Sequence, residues 1–202
     1  MPVALHRNDL PPGLALGPQV ALDTETMGLN PHRDRLCLVQ LSAGDGNAHI
    51  VQFLDGYDAP NLKAMLADPA VVKICHYARF DIASIERWLG IACRPVWCTK
   101  IASRLVRTNT DKHGLKDLTR DLLGIELSKQ QQTSDWGTAS LSAEQLTYAA
   151  SDVLHLHTLK AKLEQLLERE KRTHLAQACF DFLPFRAALD IAGWGEEDIF
   201  AH

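Results

Sequence analysis

Asp23 and Glu25 flank Thr24 in the stretch V-A-L-D-T-E-T-M-G-L at 20–29. The apolar run leading into them reads as a buried strand, and the two-residue period of a strand places both carboxylates on one face. Like charges held that close repel and raise each other's pKa unless a cation lies between them, so the pattern suits a hard divalent metal with oxygen ligands. Two solvated acids at a strand end are the plainer alternative, and D-x-E alone does not separate the two. Asp81 closes H-Y-A-R-F-D at 76–81, in the first turn of an expected helix, where the helix dipole favours a carboxylate. Tyr148 and Asp152 are spaced i, i+4 in Y-A-A-S-D, with His155 three residues further, so a helix projects all three from one face. Four carboxylates on three elements can hold two magnesium or manganese ions about 3.5–4 Å apart, the arrangement that stabilises attacking and leaving oxygens in phosphodiester cleavage. A phenol beside them can orient the attacking water.

The elements that must position these groups follow from the pattern of apolar and turn residues. Residues 1–19 carry Pro2, Pro11, Pro12 and Pro18 and read as an irregular leader. After the Asp23/Glu25 strand and Gly28, L-C-L-V-Q-L-S at 36–42 and a second run at 49–53, joined by the turn Gly44–Asn47, predict a β-hairpin. A short helix is expected over 61–66, and V-V-K-I-C-H at 71–76 is a continuous apolar strand of the kind covered on both faces. The helix bearing Asp81 runs to about Trp88, a further strand segment spans 96–98, and residues 99–116 read as helix interrupted near 109–114. Residues 115–123 form a helix stopped by Gly124. A polar segment over 125–141 with one large aromatic, Trp136, is expected to lie across another part of the molecule. Ser142 and Gln145 form a capping box opening one long helix to about Arg172. Residues 173–202 read as a helix and an apolar tail.

A chain of 202 residues with 46% hydrophobic and 23% charged residues suffices for one well-buried α/β domain. There is no run of some 18 apolar residues and no basic-then-apolar start, so neither membrane span nor signal peptide is expected, and a cytoplasmic protein is. Five cysteines without a C-x-x-C pair suit reduced, buried thiols rather than zinc or disulfides. The net charge of −4 argues against extended contact with long nucleic acid, which draws affinity from neutralised phosphates. The most basic stretch holds Lys100, Arg104, Arg107, Lys112 and Lys116, and a solvated helix face accounts for it as well as a phosphate contact does.

These motifs resemble the 3′–5′ exonucleases with a D-E-D-D carboxylate set, in their tyrosine subclass, and within it ribonuclease D. A-L-D-T-E-T at 21–26, F-D at 80–81 and Y-A-A-S-D at 148–152 correspond to the three motifs, and G-L-K-D-L followed by S-K-Q-Q-Q-T-S-D-W-G-T keeps the same order and spacing. The resemblance covers roughly residues 20–165. His76 stands where many relatives have asparagine. No room follows residue 172 for the helical nucleic-acid-binding domains of ribonuclease D. D-R-L-C at 34–37, C-T-K-I-A-S-R-L at 98–105 and the ending G-W-G-E-E-D-I-F-A-H are instead similar to the short alphaproteobacterial nano-RNase C branch.

The resemblance implies a ribonuclease-H-like (DnaQ-like) mixed β-sheet flanked by α-helices, with a leader at 1–19, an exonuclease domain at 20–172, and a C-terminal helix and tail at 173–202 that makes oligomer contacts. It also implies hydrolysis of 5′-phosphorylated RNA dinucleotides by a ring-like homo-octamer. Asp23, Glu25 and Asp152 become ligands of one cation, with Asp23 bridging to a second that Asp81 completes, and Tyr148 orients the nucleophile. Thr26, Leu29 and His76 become substrate contacts, with Leu29 as a wedge between two bases. A core leucine at a turn is the other reading of Leu29, and Arg79, Lys100 and Gln130 are weaker candidates. Trimming of longer RNA and DNA exonuclease activity remain alternatives. A D-x-D-x-T phosphatase does not fit, because Glu25 replaces its second aspartate and no later G-D-x-x-x-D occurs. A non-catalytic scaffold would be expected to have lost one of the carboxylates.

Overall fold

The computed structural model describes residues 2–128, 130–131 and 133–201. Six strands form one mixed sheet: β1 (Val3–Arg7), β2 (Gln19–Thr26), β3 (Leu36–Ser42), β4 (Ala48–Gln52), β5 (Val72–Cys75) and β6 (Val96–Cys98), in spatial order β1-β4-β3-β2-β5-β6. β2, β3 and β4 are antiparallel, as the expected hairpin requires, whereas β5 and β6 extend the sheet in parallel from β2. Every residue of β3 is buried, which is why its sequence is apolar almost throughout rather than alternating. Asp23 pairs with Gln40 and Glu25 with Leu38, and the register shifts between Glu25 and Thr26. That bulge ends the ladder where the two acids emerge.

Helices cover the sheet: α1 (Pro60–Ala67), α2 (Ala78–Leu89), α3 (Thr99–Val106), α4 (Leu115–Leu123), α5 (Ala143–Leu154), α6 (Leu156–Arg169) and α7 (Thr173–Leu189), followed by a π-helical turn at Asp190–Trp194. The expected α/β class and single domain are borne out. The Ser142–Gln145 capping box is formed in both directions. No helix among the described residues is long and apolar enough to cross a membrane.

Two expectations about the elements are corrected. The leader is not wholly irregular, because Val3–Arg7 pairs in parallel with β4 at the edge of the sheet. Its short, half-buried sequence between prolines carries little local signal, and its partner lies some forty residues away. The long helix to Arg172 is two helices that break at His155, whose φ is −105° and ψ is −4°. No glycine or proline marks the break. α5 lies on β2, β3 and β4, whereas α6 lies on α3, α4, α7 and β5, so two directions serve two sets of neighbours. The C-terminal aromatics also divide. Phe180 is buried and packs against Trp97 with ring centroids 5.1 Å apart, while Phe182, Phe185, Trp194 and Phe200 remain exposed. Four cysteines are buried thiols as expected, but Cys179 is exposed.

Candidate active site

β2 delivers Asp23 and Glu25 to one face of the sheet, and α5 brings Asp152 down onto it. One oxygen from each of the three can lie within 4.8 Å of the others. Thr24, facing the opposite way, donates its hydroxyl to Asp81 Oδ1 at 2.7 Å. Asp81 reaches this point because the chain turns abruptly from β5 into α2. Tyr77, the residue before the helix, has a left-handed backbone (φ 65°) and no side-chain cap, which compresses the connection to His76 and Tyr77. Tyr148 stands one turn before Asp152 on α5, close enough for the phenol and the carboxylate to perturb each other. Its ring packs near Trp136 with centroids 6.0 Å apart.

Burial and mutual repulsion dominate the electrostatics. Burial raises the Asp23 carboxyl to about 7, although a backbone N–H at Thr24 partly offsets it. Burial, then the charges of Asp23, Asp152 and Asp81, push Glu25 up to about 10. Asp81 and Asp152 lie well above the ordinary carboxylate range for the same reasons, burial first and Asp23 second. Burial and the neighbouring carboxylates also raise the Tyr148 phenol, so it stays protonated. Four acids that cannot ionise together without a cation, offering only oxygen donors, fit a hard divalent ion. Asp81 stands outside the compact trio, and Asp23 is the neighbouring charge that acts on it.

A cleft of about 660 Å³ opens over these groups and is lined by all of the principal candidates except Asp81. Thr26 lies in its wall, with its hydroxyl donating to the Gly28 carbonyl. A side chain at residue 28 would collide with the Asp34 carboxylate, which Asn30 N–H and Arg33 hold in place. Leu29, at the tip of that turn, is 84% exposed, which removes the core-leucine reading. His76 lies in the floor with its ring Nδ1 2.8 Å from Thr99 Oγ1. Burial and the Lys100 charge lower it to about 3, so it is neutral.

The weaker candidates separate. Lys100 lines the cleft with its ammonium 4.0 Å from the centre of the Tyr77 ring. Arg79 is committed to Asp190 by two hydrogen bonds. Gln130 and His155 border a different pocket beyond Tyr148, so His155 does not join Tyr148 and Asp152 in the cleft. The break after Leu154 turns it away. Tyr77, Met27, Lys116, Ser134 and Trp136 line the cleft and were not singled out as site residues by sequence. Tyr77 adjoins His76 in the second motif and could have been found. The polar segment does lie across the molecule as expected. Arg7, Arg35, Gln52 and Gln145 bond its carbonyls at Ala139, Gly137, Thr138 and Asp135, and Trp136 is buried against Leu38, Ile50 and Ala149. Lys129 and Gln132 within it lie outside the described residues.

Residues 9–168 match the model of a family described as 3′-5′ exonuclease. The chain belongs to the 3′–5′ exonuclease family. Among curated proteins, this exonuclease is 36% identical over 155 residues to ribonuclease D of Gluconacetobacter diazotrophicus, a match covering 77% of the chain and 39% of that relative. The chain thus spans about two fifths of the length of the ribonuclease D relatives it matches. Among solved structures it is similar to Brucella melitensis NrnC bound to pGG, at 55% identity and a TM-score of 0.97, covering 100% of this chain and 99% of that one. Brucella melitensis NrnC with bound Mg2+ gives 54% identity and 0.96 over the whole of both chains. The exonuclease fold and its ribonuclease D-like, nano-RNase type are therefore as the motifs implied.

Proposed function

We propose that this exonuclease removes nucleotides from the 3′ end of RNA and that its preferred substrate is a 5′-phosphorylated dinucleotide. The observation that carries the proposal is the convergence of Asp23, Glu25 and Asp152 within one ion's reach, beneath a cleft whose rim presents an exposed leucine. Asp23, Glu25 and Asp152 would hold one Mg2+ or Mn2+ ion, and Asp23 with Asp81 a second. Bound there, the cations supply the positive charge that stabilises the attacking and leaving oxygens. The protein's own groups orient the reaction. The protonated Tyr148 hydroxyl, one helical turn from Asp152, would orient the attacking water. His76, neutral and held by Thr99, presents no charge to repel Lys100, which faces the substrate with Tyr77 beneath it. Leu29 inserts between the two bases and gains by burying its exposed apolar side chain against their faces.

The acidic balance supports the length preference, because each added nucleotide gains little from counterion release. The relative solved with pGG supports it independently. Phe182, Phe185, Trp194 and Phe200, exposed near the end of the chain, support assembly into a closed homo-oligomer, an octamer by resemblance. Light scattering at micromolar concentration tests that assembly, and a monomer would refute it.

The function itself is tested by digesting 5′-labelled RNAs of graded length from two nucleotides upward at matched salt and magnesium. The expected result is a kcat/KM for the dinucleotide well above that for RNAs of five or more nucleotides. Equal or faster processing of the longer RNAs would leave a general ribonuclease D-like trimming enzyme. Comparable rates on DNA would remove the sugar preference.

A further inference from the structure

Beyond Leu29 the catalytic cleft adjoins a second cavity of about 910 Å³. The turn at 29–33 forms one side of it, Tyr77, Arg79 and Phe80 of the α2 entry form another, and Asp190, Gly193, Gly195 and Glu196 form the third. The third side exists because the chain stops being helical there. Gly193 takes φ 107°, a conformation that only glycine adopts without strain, and the chain folds back after α7.

The folded-back segment is fastened chiefly through Asp190. Asp190 accepts two hydrogen bonds from Arg79, at 2.6 and 2.7 Å, and forms an ion pair with Arg186 at 3.3 Å. Its backbone carbonyl lies 3.3 Å from His32 Nε2. Arg79 and Arg186 also donate to the Gly195 carbonyl at 2.8 and 3.1 Å. Asp190 therefore joins three sides of a cavity, its carboxylate holding Arg79 at the helix entry that carries Asp81 and Arg186 of α7, and its backbone carbonyl meeting His32 in the turn that carries Leu29. Charge-assisted bidentate pairs of this kind hold geometry as well as energy.

We propose that Asp190 is a positioning residue that closes the far side of the cavity beyond Leu29 and so confines the substrate to two nucleotides. The inference rests on the proposed dinucleotide preference and places its origin within one protomer. A nucleoside on the far side of Leu29 meets the segment held by Asp190, and a strand extending further would meet the carboxylates of Glu196, Glu197 and Asp198. These line the adjoining small cavity together with Arg79 and Arg186. Asp190 does not reach the reacting atoms; its carboxylate acts through Arg79 and Arg186, and its backbone carbonyl meets His32.

The test compares wild type, Asp190→Asn and His32→Ala on a 5′-phosphorylated dinucleotide and a pentanucleotide, with kcat and KM resolved and thermal melts recorded. Asp190→Asn is expected to raise the dinucleotide KM by roughly tenfold with a smaller change in kcat, while the pentanucleotide kcat/KM holds or rises. His32→Ala, an exposed substitution that leaves the Arg79 pair in place, is expected to shift the ratio the same way by less. It carries the test if Asp190→Asn does not fold. A parallel fall of kcat on both lengths would make Asp190 only structural, and an unchanged ratio in the folded variant would overturn the proposal. If wild type itself shows no preference for the dinucleotide, the functional reading fails and this inference fails with it. A preference that survives in the variants overturns the inference alone.

Discussion

Asp23 and Leu29 lie on one short stretch of chain, yet they inhabit opposite environments. Asp23 stands among three other acids where burial keeps protons on the cluster, whereas Leu29 is 84% exposed on a turn. The floor of the cleft is rigid, built on the most buried strands of the sheet and on α5, and it is electrostatically unfavourable until a cation arrives. The rim is built on turns and an extended polar segment, and it costs the fold little. Substitutions in the floor should therefore abolish chemistry while relieving strain. Those at the rim should change which substrate is chosen and leave stability alone.

The largest effect should come from Asp23→Ala, which removes a ligand shared by both proposed ions. Turnover should be lost, and the metal-free melting temperature should stay level or rise, because a repelling buried charge goes with it. A stable, active Asp23→Ala protein in magnesium would break the contrast at its root. Tyr148→Phe is expected to lower kcat by about 10²–10⁴, the range for one acid–base or orienting group, with less effect on substrate binding. A variant that binds worse but turns over normally would move Tyr148 from the floor to the rim.

The floor should also make stability depend on pH in a diagnostic direction. In the folded, metal-free protein Asp23 holds its proton to about 7 and Glu25 to about 10, whereas an unfolded carboxyl releases it near about 4. Folding then takes up protons over that interval, so stability falls as pH rises from about 4 through about 7 and continues to fall toward about 10. Magnesium should flatten the slope, because it replaces those protons. Melting curves with and without metal read this directly, and a metal-free protein that gains stability over the same interval would contradict it. The smallest effect on stability should be that of Leu29→Ala, within about 0.5 kcal/mol as for an exposed site. The same variant should narrow the kinetic gap between dinucleotide and longer RNA.

The floor was legible in the sequence and much of the rim was not. Strand alternation alone places Asp23 and Glu25 together, and the capping box at Ser142 fixes where α5 begins and hence where Tyr148 and Asp152 point. Both are local rules acting over a few residues. The edge strand at Val3–Arg7, the break at His155 and the left-handed turn at Tyr77 are set by distant neighbours or by a backbone angle that no residue type announces. The pairing of Arg79 with Asp190 spans 111 positions. No periodicity or motif spacing reports an ion pair of that separation, so Arg79 read from sequence only as a weak substrate candidate.

Asp23, Glu25, Asp81 and Asp152 are proposed to form a cation site that keeps its protons until the cation binds. Calorimetric titration of the metal-free protein with magnesium near pH 7, repeated in buffers of different ionisation enthalpy, tests it without recourse to turnover. Saturable binding with release of protons to the buffer is expected, together with loss of both in Asp23→Asn. Binding without proton release, or binding unchanged by Asp23→Asn, would contradict it.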